Sequence, residues 1–168
     1  MNFDEAACTP VARRALFFAR GEALNHGGPP VEPEHLLLGL VSADSELLRL
    51  TSDCRFDVTA RIRASIESLM PLKPVSGTWP EVPHLSISAS TCLVVALNES
   101  RNLGHTHIGS EHILLGLLAY PSAASQILND LGFSADTVRD RVRGGSITPQ
   151  IGQATGNAVL RGWTISSE

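Results

Sequence analysis

Two acid–imidazole pairs stand at matching places in the chain, Glu34-His35 within VEPEHLLLGLV (31–41) and Glu111-His112 within IGSEHILLGLL (108–118). Carboxylates and imidazoles are the usual general acids, bases and metal ligands, and Ser110 beside Glu111 adds a nucleophile type. The spacing argues against catalysis. Adjacent residues on a helix point about 100° apart, so neither pair forms an acid–base dyad. Ser110 has no nucleophile-elbow context and no positioned third member, so a hydrolase triad is not expected. His105, His107 and His112 cluster in sequence, but no cysteine or acidic partner completes a recognisable zinc spacing. Cys8, Cys54 and Cys92 are odd in number and far apart, and read as reduced packing thiols. The expectation is no catalytic residue, no metal and no cofactor.

A different chemistry suits these positions. Glu34 and Glu111 fall in the first turn of a predicted helix, where a carboxylate interacts favourably with the helix dipole by about 0.3–1 kcal/mol. The backbone N–H groups of such a turn also attract anions. His35 and His112 read as partly buried imidazoles hydrogen-bonded near the helix start.

The elements that must hold these residues are written twice. An offset of 77 positions aligns residues 12–56 with 89–133 without an insertion, pairing Ala12 with Ala89, Leu16 with Leu93, Glu22 with Glu99, Gly39 with Gly116 and Ser45 with Ser122. Within each copy the apolar spacing is helical: Val11, Ala15, Phe18, Ala19 and Ala23 form one stripe, and Cys92, Val95, Ala96 and Leu103 its counterpart. Each copy therefore opens with a helix of about four turns. The Glu-His segment then forms a short helix, apolar nearly all round as a buried helix must be. Gly in a helix interior is unfavourable by about 1 kcal/mol relative to Ala, so Gly39 and Gly116 mark places where another helix passes too close for a side chain. Third helices are predicted over Ser45 to Asp53 and Ser122 to Leu131, the latter ending at Gly132, and fourth helices begin after the N-cap residues Asp57 and Ser134.

The fold class expected is all-α, with two pseudo-symmetric four-helix repeats packed as one domain. Residues 1–70 form the first repeat, 71–85 a proline-rich connector, 86–143 the second repeat and 144–168 a flexible tail. Hydrophobic residues make up 43% of the 168, enough for one compact core. A net charge of −4 with scattered basic residues excludes the electrostatic footprint of a nucleic-acid binder. Apolar runs fall far short of a membrane span, and a cytoplasmic location is expected. The use of Lys73 as sole lysine beside twelve arginines suggests GC-rich bacterial coding.

VEPEHLLLGLV and IGSEHILLGLL, with EALNHGG and ESRNLGH before them and ILNDLGFSADTVRDRV after, resemble the Clp amino-terminal (Clp repeat) domain, the double four-helix module that precedes the ATPase rings of Clp unfoldase chaperones. The resemblance covers roughly residues 3 to 143. No P-loop accompanies it, because the one lysine lies between prolines in PLKPVS. What is expected is the recognition module standing alone, without ATPase modules.

The resemblance implies a non-enzymatic protein-binding module for Clp substrates or adaptors. Similar domains of Gram-positive bacteria recognise phosphorylated arginine through the glutamate of a Gly-Thr-Glu-His motif, which maps onto Gly109, Ser110 and Glu111, and in the first repeat onto Glu34. The chemistry is coherent: the helix N-terminus takes the phosphate and the carboxylate pairs with the guanidinium. Glu32-Pro33 departs from the motif, removing a donor and adding a negative charge. Related domains are also targets of cyclic-peptide antibiotics, so a sequestering protein for such compounds is an alternative. A third is a regulator that competes for adaptors or joins a Clp unfoldase ring. Phe3, Phe17, Phe18 and Phe56 read as core, while an exposed aromatic among them, Phe3 or Phe17, would suit docking of an adaptor or hydrophobic ligand.

Overall fold

The computed structural model describes residues 3–28, 30–52, 57–73 and 82–145. The interior of the connector (74–81), the tail from residue 146, Cys54 and Phe56 lie outside the described residues. Four helices make each repeat. In the first they are α1 (Pro10–Asn25), α2 (Pro33–Ala43), α3 (Ser45–Thr51) and α4 (Val58–Leu69). In the second they are α5 (Ile87–Asn102), α6 (Ser110–Ala119), α7 (Ala123–Asp130) and α8 (Ala135–Arg143).

Short-range polar chemistry sets where these helices begin. Thr9 Oγ1 accepts the Ala12 N–H at 3.3 Å ahead of α1, with Pro10 in the first position, where its missing N–H is no loss. Ser86 caps α5 in the same manner, and Asp57 and Ser134 cap α4 and α8 as their sequence positions predict. Gly132, with φ +82°, turns the chain after α7 in the left-handed conformation a helix C-terminus favours.

The apolar segments α2 and α6 form the centre. Leu36, Leu37, Leu38 and Leu40 on one, with Ile113, Leu114, Leu115 and Leu117 on the other, are buried on every side. Their glycines are where the first helix of each repeat crosses. A Cβ on Gly39 would lie 2.2 Å from the Ala15 carbonyl oxygen, and one on Gly116 would lie 2.2 Å from that of Cys92. Gly21, inside α1, has nothing within 4 Å of the corresponding point. Gly21→Ala is therefore expected to raise stability by about 0.5–1 kcal/mol through helix propensity alone, read as a higher midpoint in urea unfolding.

The two repeats are stitched reciprocally. The segment before α1 bridges to the segment before α6 (Cys8 to Ile108), and the segment before α5 bridges to the segment before α2 (Leu85 to Val31). The hydrogen bonds repeat at the 77-residue offset: Thr9 N–H to Ile108 O and Ile108 N–H to Ala7 O on one side, Ser86 N–H to Val31 O and Val31 N–H to His84 O on the other. Each repeat thus fixes the loop that leads into the other's Glu-His helix. The equivalent Glu22 and Glu99 anchor the fourth helices, pairing with Arg63 at 3.1 Å and Arg139 at 2.7 Å. Among the described residues no helix is long and apolar enough to cross a membrane.

Candidate functional site

The N-termini of α2 and α6 carry the residues the sequence singles out. His35 and His112 occupy the third helical position, and each accepts, through Nδ1, the backbone N–H of the residue preceding its helix: Glu32 at 3.0 Å and Gly109 at 2.8 Å. They do the work that Glu or Gln does in a capping box. With Nδ1 accepting, the neutral ring carries its proton on Nε2. Burial, with a neighbouring histidine adding to it, pushes both imidazoles down to about 4, His26 being the neighbour of His35 and His105 that of His112. Both rings are neutral near pH 7.

The glutamates fold into the seam between repeats. Glu34 is 8% exposed and Glu111 3%. Glu34 Oε1 accepts the Ala124 N–H at 3.1 Å and so caps α7 of the other repeat. By pseudo-symmetry Glu111 should cap the N–H of Leu47 at the start of α3. That N–H is already bound, at 3.1 Å, to Asp44 Oδ1. Glu111 Oε1 is left buried without a hydrogen-bond partner. It lies 3.3 Å from His112 Nδ1, but no ion pair forms, because that nitrogen is neutral and accepts from Gly109. Burial holds the Glu111 carboxyl above its usual range, an effect its own backbone N–H opposes and the nearby Asp44 carboxylate adds to.

This difference between repeats predicts a difference in stability. Glu34→Ala strands a buried N–H and is expected to lose roughly 1–3 kcal/mol more than Glu111→Ala, measured by urea unfolding. Equal losses would contradict the capping role of Glu34.

Of the motif residues, Gly109, Ser110 and Glu111 come together at the α6 mouth, all buried. Ser110 Oγ donates at 2.6 Å to Oδ2 of Asp44, a residue outside the Glu-His motif. Its signal was present: at the 77-residue offset Asp44 faces Pro121, one of the points where the copies differ in charge. For metals, the structure gathers His105, Glu111 and His112, with donor atoms within 4.8 Å, and not His107. In this arrangement His105 Nδ1 and His112 Nε2 hydrogen-bond each other at 2.9 Å. Both described cysteines, Cys8 and Cys92, are buried, and burial pushes their thiols up to about 12, which suits packing and not nucleophilic chemistry.

Phe3 and Phe17 are not brought together at one site. Phe3 is half-buried and lines a groove of about 720 Å³ with Val82, Leu85, Ile87 and Val94, closed on its polar side by the ion pair of Arg20 with Glu5. Phe17 lies outside that lining, 69% exposed, its ring edge-on to Phe18 at 5.8 Å. The groove's other apolar residues belong to no motif in the sequence, and Ile87 among them is 87% exposed.

Comparison with known proteins accords with this architecture. Residues 7–131, and again 84–158, match the Clp repeat (R) N-terminal domain. The chain belongs to the Clp repeat N-terminal domain family. It is 32% identical over 138 residues to the negative regulator of genetic competence ClpC/MecB of Bacillus subtilis, covering 80% of this chain and 16% of that protein. It is 30% identical over 136 residues to the chaperone protein ClpB of Oceanobacillus iheyensis, with 80% and 16% covered. The Clp repeats here thus span about a sixth of the length of these relatives. Among solved structures, the N-terminal domain of the chaperone ClpD from Arabidopsis thaliana superposes with a TM-score of 0.63 at 27% identity, covering 81% of this chain and 94% of that one.

Proposed function

We propose that this chain is a non-enzymatic protein-binding module of the Clp chaperone–protease system, acting in the cytoplasm on substrates or adaptors. The observation that supports this most is the double Clp repeat itself, the segment shared with chaperone relatives that are about six times longer. The motif residues favour binding over catalysis: His35 and His112 are engaged as helix caps, and Glu34 as a cap across the seam.

The finer reading is that arginine-phosphorylated proteins are bound at Gly109, Ser110 and Glu111. It is supported by the unpartnered Glu111 Oε1, which keeps its capacity for a guanidinium, next to the N-terminus of a ten-residue helix. Glu34, already bound to Ala124, is the weaker of the two mouths. Calorimetric titration with an arginine-phosphorylated peptide should give binding that is reduced at least tenfold in Glu111→Ala. Absence of binding to wild type would remove the phosphoarginine part.

The groove beside Phe3 supports a second reading, sequestration of cyclic-peptide antibiotics or docking of an adaptor's apolar segment. Its volume and its exposed Val82, Ile87 and Val94 suit a bulky apolar ligand. Ile87→Asp should abolish binding of such a peptide without unfolding the domain, and unchanged affinity would exclude the groove.

A further inference from the structure

We propose that Asp44 acts as a built-in competitor for the anion position at the α6 mouth and weakens, without abolishing, phosphate binding there. The inference rests on the phosphoarginine reading of Ser110 and Glu111 and concerns how that site is controlled. One carboxylate joins two helix N-termini from different repeats: Oδ1 accepts the Leu47 N–H of its own α3, and Oδ2 accepts the Ser110 hydroxyl at the start of α6. The hydroxyl that would donate to a phosphate oxygen therefore already donates to an anion supplied by the chain. Asp44 is half-buried while Ser110 and Glu111 are buried, so Asp44 is the member of the group that meets solvent.

The other mouth shows what Asp44 changes. Its place is taken there by Pro121, which offers no side-chain acceptor, and Glu34 reaches across the seam to the Ala124 N–H. At the α6 mouth the corresponding reach of Glu111 is pre-empted, and Oε1 of that side chain, which is 4% exposed, has no partner. An unpaired carboxylate beside an anion position already filled is complementary to a guanidinium and repels the phosphate attached to it. Removing the charge of Asp44 while keeping its cap on Leu47 should strengthen phosphate binding.

Asparagine does this: its Oδ1 can still accept the Leu47 N–H, while its Nδ2, in place of Oδ2, donates to Ser110 Oγ and frees the serine hydroxyl proton for a phosphate oxygen. The probes are phosphoarginine and arginine, titrated into wild type, Asp44→Asn and the double variant Asp44→Asn/Glu111→Ala, with Asp44→Ser as a second uncharged cap should the first fold poorly. Phosphoarginine affinity is expected to rise at least tenfold in Asp44→Asn, arginine affinity to stay level or fall, and the gain to disappear in the double variant. Equal phosphoarginine affinity in wild type and both Asp44 variants would overturn the role of Asp44 and leave the phosphoarginine site standing. Absence of phosphoarginine binding to every form would overturn both.

Discussion

Alanine at Gly39 or Gly116 is expected to lower stability by about 3 kcal/mol or more, beyond the middle of the usual overpacking range. The reason is the identity of the atom each new Cβ meets. It is a backbone carbonyl oxygen in both cases, Ala15 for Gly39 and Cys92 for Gly116, with the backbone nitrogens of Ala19 and Ala96 at 2.9 and 3.2 Å. A side chain in the way could change rotamer, but a helix backbone must move as a body, and α1 and α5 are held by their own caps and by the reciprocal bridges. The gain in helix propensity, about 1 kcal/mol, offsets only part of this. For a chain of this size the melting temperature should fall by roughly 6–12 °C. Gly21→Ala is the control, since it changes the same residue type in a helix with no neighbour to strike, and its effect should have the opposite sign. A melting temperature unchanged in Gly39→Ala would mean that α1 does not cross α2 at that point.

Acid should destabilise the fold well above the range in which carboxylates titrate. His35 and His112 sit at about 4 in the folded chain, against about 6.5 when unfolded, because burial disfavours their charged forms. Between those values the unfolded chain binds protons that the folded one resists, so their contribution is complete above pH 6.5 and is lost as pH falls toward 4. At pH 5 each histidine forfeits about 2 kcal/mol, and the pair on the order of 4. Glu111 acts in the opposite direction, since its raised carboxyl takes up a proton more readily folded than unfolded. Glu99, held low by the Arg139 guanidinium that hydrogen-bonds it, adds to the loss only at more acidic pH. Urea midpoints measured from pH 7.5 to 5 should show this slope in wild type. They should show little of it in His35→Asn/His112→Asn, where the amide oxygen can still accept the capping N–H. The same slope in both proteins would place the titrating groups elsewhere.

The helices and their closest crossings were legible in the sequence because they depend on short-range pattern. Helical spacing of apolar residues, cap residues before each run and glycine inside an apolar helix all act within a few positions, and duplication stated each twice. The helix mouths were legible only as residue types. What Glu34 does depends on Ala124, 90 positions away, and what Ser110 does depends on Asp44, 66 positions away. Neither partner belongs to the motif. Pseudo-symmetry would have supplied both, because a glutamate that caps the opposite repeat in one copy should do so in the other unless a competing acceptor stands there. The groove beside Phe3 was hidden for a similar reason: Ile87 and Val94 lie within α5 outside the stripe of Cys92, Val95, Ala96 and Leu103, and that their face stays uncovered depends on the packing of distant segments.

Capture from bacterial lysate on the immobilised domain, before and after treatment with an arginine phosphatase, bears most directly on the claim that the chain is a binding module of the Clp system. The predicted result is enrichment of Clp substrates and adaptors over an immobilised helical control, with a phosphatase-sensitive part that Glu111→Ala also loses. A set of captured proteins indistinguishable from that of the control, with or without phosphatase, would contradict it.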